Sequence, residues 1–145
     1  MLIKDSKKAR DTELLVRFTE WYCRSHHQNA KREPLVSTGT QAGIYGQRIP
    51  LLCADCAEYA RYAEQRTELC RHDPKPFCSA CPIKCYKPSM AAYSRQVMRY
   101  AGPRALFSRY WRQALSHLIN GRRGGRRAPA TPPADYPQAE NSNND

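Results

Sequence analysis

Acidic residues are scarce in this chain: 13 Asp and Glu stand against 24 Lys and Arg in 145 residues, a formal net charge of +11. No apolar run approaches the ~18 residues that a membrane-spanning helix needs. The opening Met1-Leu2-Ile3-Lys4-Asp5-Ser6-Lys7-Lys8 lacks the apolar stretch of a secretory signal. The expectation is a cytoplasmic protein with no membrane role, in surroundings that keep thiols reduced. Catalytic signatures are also missing. Gly39, Gly43 and Gly46 are not followed by the Lys-Ser/Thr that completes a phosphate-binding loop. The serines form no nucleophile elbow, and no βαβ pattern surrounds the cysteines to suggest a thiol oxidoreductase. His117 lies among apolar residues and reads as packed or surface rather than catalytic. Nothing here points to an enzyme, and the length allows one small core rather than two.

What the chain does have is seven cysteines. Seven is odd, so disulfides cannot use them all, and a reducing compartment disfavours disulfides in any case. Buried thiols packing as small hydrophobes are the plain alternative to metal. The spacing argues for metal. Two CxxC pairs occur, Cys53-Ala-Asp-Cys56 and Cys78-Ser-Ala-Cys81, and Cys85 follows the second after three residues. Two intervening residues let both sulfurs reach one ion, the basis of zinc and iron–sulfur spacings.

Apolar periodicity predicts a mainly α fold: a small four-helix domain over residues 12–120, with irregular Cys/Pro loops. Leu14, Leu15, Phe18, Trp21 and Tyr22 mark one face of a first helix, 12–27, after a flexible N-terminus of residues 1–11. Pro34, Pro50 and three glycines make 28–51 a long surface loop with a short hairpin near Ile44-Tyr45. Residues 53–69 contain no Gly or Pro and predict a second helix. Ser89 can cap a third, with Met90, Tyr93, Val97 and Tyr100 on one face. Gly102-Pro103 should break it, Pro103 opening a fourth helix with Phe107, Tyr110, Trp111, Ala114, Leu115 and Leu118 aligned and Gly121 as its stop. The tail, 121–145, cannot bury apolar area and should be disordered.

A straight helix over 54–69 would hold Cys53 and Cys70 some 25 Å apart at ~1.5 Å per residue, too far to share an ion. Two metal sites follow. Cys23-x2-His26 joins Cys53 and Cys56 in a first site; Cys70, Cys78, Cys81 and Cys85 form a second. His27 is the alternative to His26, because successive helical positions point ~100° apart and only one can face the site. His72 is a substitute beside Cys70. A rival partition is a zinc ribbon of Cys53, Cys56, Cys78 and Cys81, which leaves Cys23, Cys70 and Cys85 without a role. Cys/His ligation suits zinc at the first site; the all-cysteine second site suits zinc or a [4Fe–4S] cluster.

The runs Tyr22-Cys23-x2-His26-His27, Cys81-Pro82-x2-Cys85-Tyr86-Lys87-Pro88 and Val97-Met98-Arg99-Tyr100-x-Gly102-Pro103-Arg104 resemble the nitrous oxide-stimulated promoter family of small bacterial proteins over about residues 10–119. The resemblance implies expression under nitrogen-oxide stress and a part in growth recovery from nitric oxide. It implies no particular reaction. Nitric oxide attacks thiolate-bound metals, so a cysteine–metal protein is chemically at home in such a response.

The positive charge is concentrated in residues 71–120, with nine basic residues against one acidic. Arg95 and Arg99 stand at i, i+4 without an acidic partner, and Arg104, Arg109 and Arg112 continue the bias among Tyr93, Tyr100 and Tyr110. Such a surface, over about 84–112, can bind nucleic acid or an acidic protein; it can equally be a solvated face over core aromatics. Three functions therefore stand open: a metal-dependent protein of the nitrosative-stress response that binds a macromolecule, an iron–sulfur protein of electron transfer, sensing or cluster repair, and a nucleic-acid-binding regulator.

Overall fold

The computed structural model describes residues 6–70 and 85–124. Among them are four long helices, α1 (Lys7–His26), α3 (Ala54–Leu69), α4 (Pro88–Ala105) and α5 (Trp111–Gly124), a single-turn helix α2 (Thr38–Gln41), and two short strands, β1 (Glu33–Pro34) and β2 (Leu51–Leu52). The fold is mainly helical. No helix among the described residues is long and apolar enough to cross a membrane.

Helix α1 is the centre. It packs against α3 on one side and α4 on the other, and β2 lies along it. It starts five residues before the expected Thr12, so 7–11 are helical rather than flexible; the Ser6 hydroxyl accepts from the Ala9 amide at 3.1 Å and caps it. Its burial runs almost all the way round: Val16, Phe18, Tyr22 and Cys23 are joined by Thr12, Arg17, Thr19 and Glu20.

Residues 28–51 are not the expected surface loop. They fold inward. Glu33 pairs with Leu52 and Pro34 with Leu51, antiparallel, in place of a hairpin at Ile44-Tyr45. Gly43 and Gly46 both have positive φ, and the turn they bracket sends Ile44 and Tyr45 into the core beside Leu35. Buried charges hold this segment. Arg17 donates to the Arg48 carbonyl at 2.6 Å and the Tyr45 carbonyl at 3.2 Å. Glu20 accepts from the Leu51 amide at 3.3 Å and from Arg24 at 3.0 Å, with Arg17 3.6 Å away.

Helix α4 opens one residue ahead of the expected Ser89 cap, with Pro88 in its first turn, where a missing N–H costs nothing. Val97, Ala101 and Ala105 form its buried stripe, with Met90, Tyr93 and Tyr100 packed alongside. Gly102-Pro103 does not break it. Pro103 falls in the final turn, so only one late backbone bond is lost, and the chain turns after Ala105. The fourth long helix therefore begins at Trp111 rather than Pro103 and runs past Gly121 to Gly124. Its expected buried face is only half covered: Trp111, Leu115 and Leu118 keep 47%, 39% and 48% of their surface, and Phe107, in the connecting turn, keeps 94%. The tail from 125 onward lies outside the described residues.

Candidate metal centre

Cys23 lies in the last turn of α1, where the helix is buried against α3 and α4. His27 is the residue that ends α1: its backbone leaves the helix at φ −120°, ψ 50° while its N–H still bonds the Cys23 carbonyl at 2.9 Å. Cys53 follows β2 directly and occupies the position just before the first turn of α3; Cys56 is inside that turn. The β1–β2 pairing and the Glu20–Leu51 bond thus deliver the CxxC pair to the end of α1. Helix N-termini favour thiolates, because the orphan N–H groups and the dipole present positive potential.

The four ligand atoms, three sulfurs and one imidazole nitrogen, all lie within 4.8 Å of one another. His27 Nδ1 is 3.3 Å from both Cys53 Sγ and Cys56 Sγ. The Cys53 amide donates to Cys23 Sγ at 3.4 Å. All three cysteines are buried free thiols. Burial pushes the Cys23 and Cys56 thiols up from their ordinary range, a cost that a bound cation reverses by stabilising thiolate. This cluster can hold one metal ion. The spacing suits a single tetrahedral ion, whereas the four ligands of a [4Fe–4S] cluster each sit on a separate iron and stand further apart.

The imidazole at this site is that of His27, where the sequence suggested His26. His26 is turned away: its ring stacks on Tyr22 at 4.2 Å between centroids and meets Tyr100 edge-on at 4.9 Å. The signal was in the spacing. Four residues along a helix return to within ~40° of the start, three residues fall ~60° short, so Cys23 faces His27 more squarely than His26.

Tyr93, on α4, was placed by the sequence on a packing face and among the basic-face aromatics, not beside the cysteines. Its hydroxyl lies 3.0 Å from Cys56 Sγ, and the same helix is tied to α1 through Tyr22 Oη donating to Gln96 Oε1 at 3.0 Å. Burial and the neighbouring sulfur raise the Tyr93 hydroxyl above its usual range, so it stays a donor. Partners that hydrogen-bond a metal's ligands typically change metal affinity 10–100-fold. Tyr93→Phe should therefore keep the metal stoichiometry but release the ion to a chromogenic chelator at least several-fold faster. An unchanged release rate would remove Tyr93 from the site.

On the solvent side, an open cleft of about 600 Å³ borders His26, His27, Lys31, Cys53 and Asp55. It leaves the His27–Cys53 edge reachable, while Tyr93 and Tyr22 close the opposite side. Of the second expected group, Cys70 caps α3 with its carbonyl accepting from Lys8 Nζ, and Cys70 and Cys85 are both half-buried; Cys78 and Cys81 lie outside the described residues. Arg95, Arg99, Arg104, Arg109 and Arg112 are all exposed on α4, the turn after it, and α5.

No solved structure matches this chain. The uncharacterized protein YgbA of Escherichia coli (strain K12) is 34% identical over 87 residues, an alignment covering 55% of this chain and 71% of that protein. The sequence pattern of the nitrous oxide-stimulated promoter family matches residues 6–130, a span that holds every cysteine and all four long helices, and the chain belongs to that family.

Proposed function

We propose that this is a zinc-stabilised helical protein of the bacterial nitric oxide response, working by binding another macromolecule rather than by catalysis. The observation that carries this reading is the convergence of Cys23, His27, Cys53 and Cys56 within 4.8 Å. Three thiolates and one imidazole make a closed tetrahedral set, which is structural in zinc proteins because no coordination position is left for a substrate. The family supports the nitric oxide setting, since its pattern is that of a nitrous oxide-stimulated promoter product. Thiolate-bound zinc with one solvent-facing edge is a reactive target for nitrogen oxides. A second ion, zinc or a [4Fe–4S] cluster, is assigned to Cys70, Cys78, Cys81 and Cys85 on their spacing.

Metal analysis of anaerobically purified protein tests this. The preparation should be colourless and hold about two zinc ions, as expected for two closed sites. His27→Ala or Cys53→Ser should each lose about one ion, His26→Ala none, and Cys85→Ser the other ion. A brown preparation containing iron would favour the iron–sulfur alternative. Loss of one and the same ion in Cys53→Ser and Cys81→Ser, with Cys85→Ser unaffected, would restore the ribbon partition.

A further inference from the structure

We propose that the exposed arginine-rich face of α4, α5 and the turn between them binds single-stranded nucleic acid. From Pro74 to Ala134 the chain contains no aspartate or glutamate. Ion pairs in which both side chains are described all fall between Lys7 and Glu33, and Arg95, Arg99, Arg104, Arg109 and Arg112 take part in none of them. Arg95 and Arg99 lie a helical turn apart, both exposed, so their like charges repel until an anion is present. Glu13 reaches Arg109 only through space, without an ion pair.

Charge alone would suit any polyanion; the rings narrow it. Arg104 lies with Cζ 3.8 Å from the Tyr100 ring centre, Arg109 4.8 Å from Tyr110, and Arg112 5.3 Å from Trp111. Guanidinium planes laid on aromatic rings are flat, cationic and pre-ordered, which is the surface on which an unpaired base stacks. Phe107, 94% exposed in the turn, adds a free ring between the two helices. Paired bases in a duplex hide their faces, so stacking of this kind selects single strands. An acidic peptide would use the charges and leave the rings idle. A second copy of the chain would bring arginine against arginine.

This inference stands apart from the metal reading and is tested on the full-length, metal-loaded protein. Fluorescence anisotropy would follow a labelled mixed-sequence 20-nucleotide single strand, as RNA and as DNA, with the matching duplex and poly-glutamate as competitors. Single strands should bind with log affinity falling linearly in log salt, about 0.7 per phosphate neutralised. Trp111 emission should be quenched on binding. Arg104→Ala/Arg112→Ala should flatten the salt slope by roughly 1–1.5, as expected when two phosphates are no longer neutralised. Phe107→Ala should leave the slope alone and weaken binding at least about fivefold, the low end for removing one base–aromatic stack. Phe107 is almost fully exposed, so its truncation leaves the core intact, which a melting curve verifies. No binding at about 50 mM salt, where phosphate contacts are strong, or equal competition by poly-glutamate or duplex, would overturn the proposal. So would a Phe107→Ala protein with undiminished affinity.

Discussion

With an ion held as proposed by Cys23, His27, Cys53 and Cys56, its withdrawal by chelation or by Cys56→Ser should abolish the cooperative thermal transition of this protein. Eighteen apolar residues are buried among the described residues, but five are alanine and three are the thiols of the site itself. The large aliphatic and aromatic side chains that each supply ~1.5–3 kcal/mol are correspondingly few. A structural zinc contributes on the order of 10–16 kcal/mol in small domains, as much as the whole net stability of ~5–15 kcal/mol that folded domains possess. The site also stands where that energy acts on the entire fold. It fastens the end of α1 to the start of α3, and through Tyr93 it reaches α4. Without the ion, burial keeps Cys23 and Cys56 as neutral thiols, and only weak sulfur hydrogen bonds join the end of α1 to α3 and α4 at this point. The measurement is circular dichroism with and without a strong chelator, with zinc added back. Loss of the melting transition and its return on zinc addition are expected. A chelated, metal-free protein that melts as before would end the claim that metal holds the fold.

Much of this arrangement is legible in the chain. The helix over 54–69 follows from a stretch without glycine or proline, and the first metal group from the CxxC spacing set against the end of the first helix. The inward fold of 28–51 is not. Leu35, Ile44 and Tyr45 are too widely and irregularly spaced to show a period, and what holds them is a set of charges. Arg17, Glu20 and Glu64 look like solvent-facing helix residues by hydropathy, yet they are 4%, 1% and 1% exposed. Their partners are backbone groups and hydroxyls of a segment whose position only the fold defines. Gly102-Pro103 misled for a related reason. Proline breaks a helix when its neighbours need the missing bond, and in the last turn of α4 few do. Phe107 was aligned with the apolar face of a helix that begins only after it.

Glu64→Ala should be the most damaging change away from the metal. The carboxylate, on the third turn of α3, accepts from the Ser37 hydroxyl at 2.8 Å, the Gly39 amide at 3.1 Å, the Thr38 hydroxyl at 3.3 Å and the Tyr45 hydroxyl. Burial and the nearby carboxylate raise the Tyr45 hydroxyl, so it donates. Truncation strands four donors together, Ser37, Gly39 and Tyr45 among them buried. Hydrogen bonds to charged groups contribute ~1.5–3 kcal/mol each, and stranded donors add a desolvation cost, so a net loss of about 3–5 kcal/mol is expected after relaxation. At ~4–8 °C per kcal/mol, the melting temperature should fall by at least about 12 °C. Gly39→Ala attacks the same contact from the other side. A Cβ there would lie 2.5 Å from Glu64 Oε1 and 2.9 Å from Ile44 Cδ1, so the carboxylate or the Ile44 side chain must move. The two changes share a contact, so together they should cost less than their sum. Both variants should retain the ion at Cys23, His27, Cys53 and Cys56, because Glu64 lies two turns beyond Cys56. A Glu64→Ala protein melting within about 2 °C of the parent, less than 1 kcal/mol on that scale, would show that the segment is held by its apolar contacts instead.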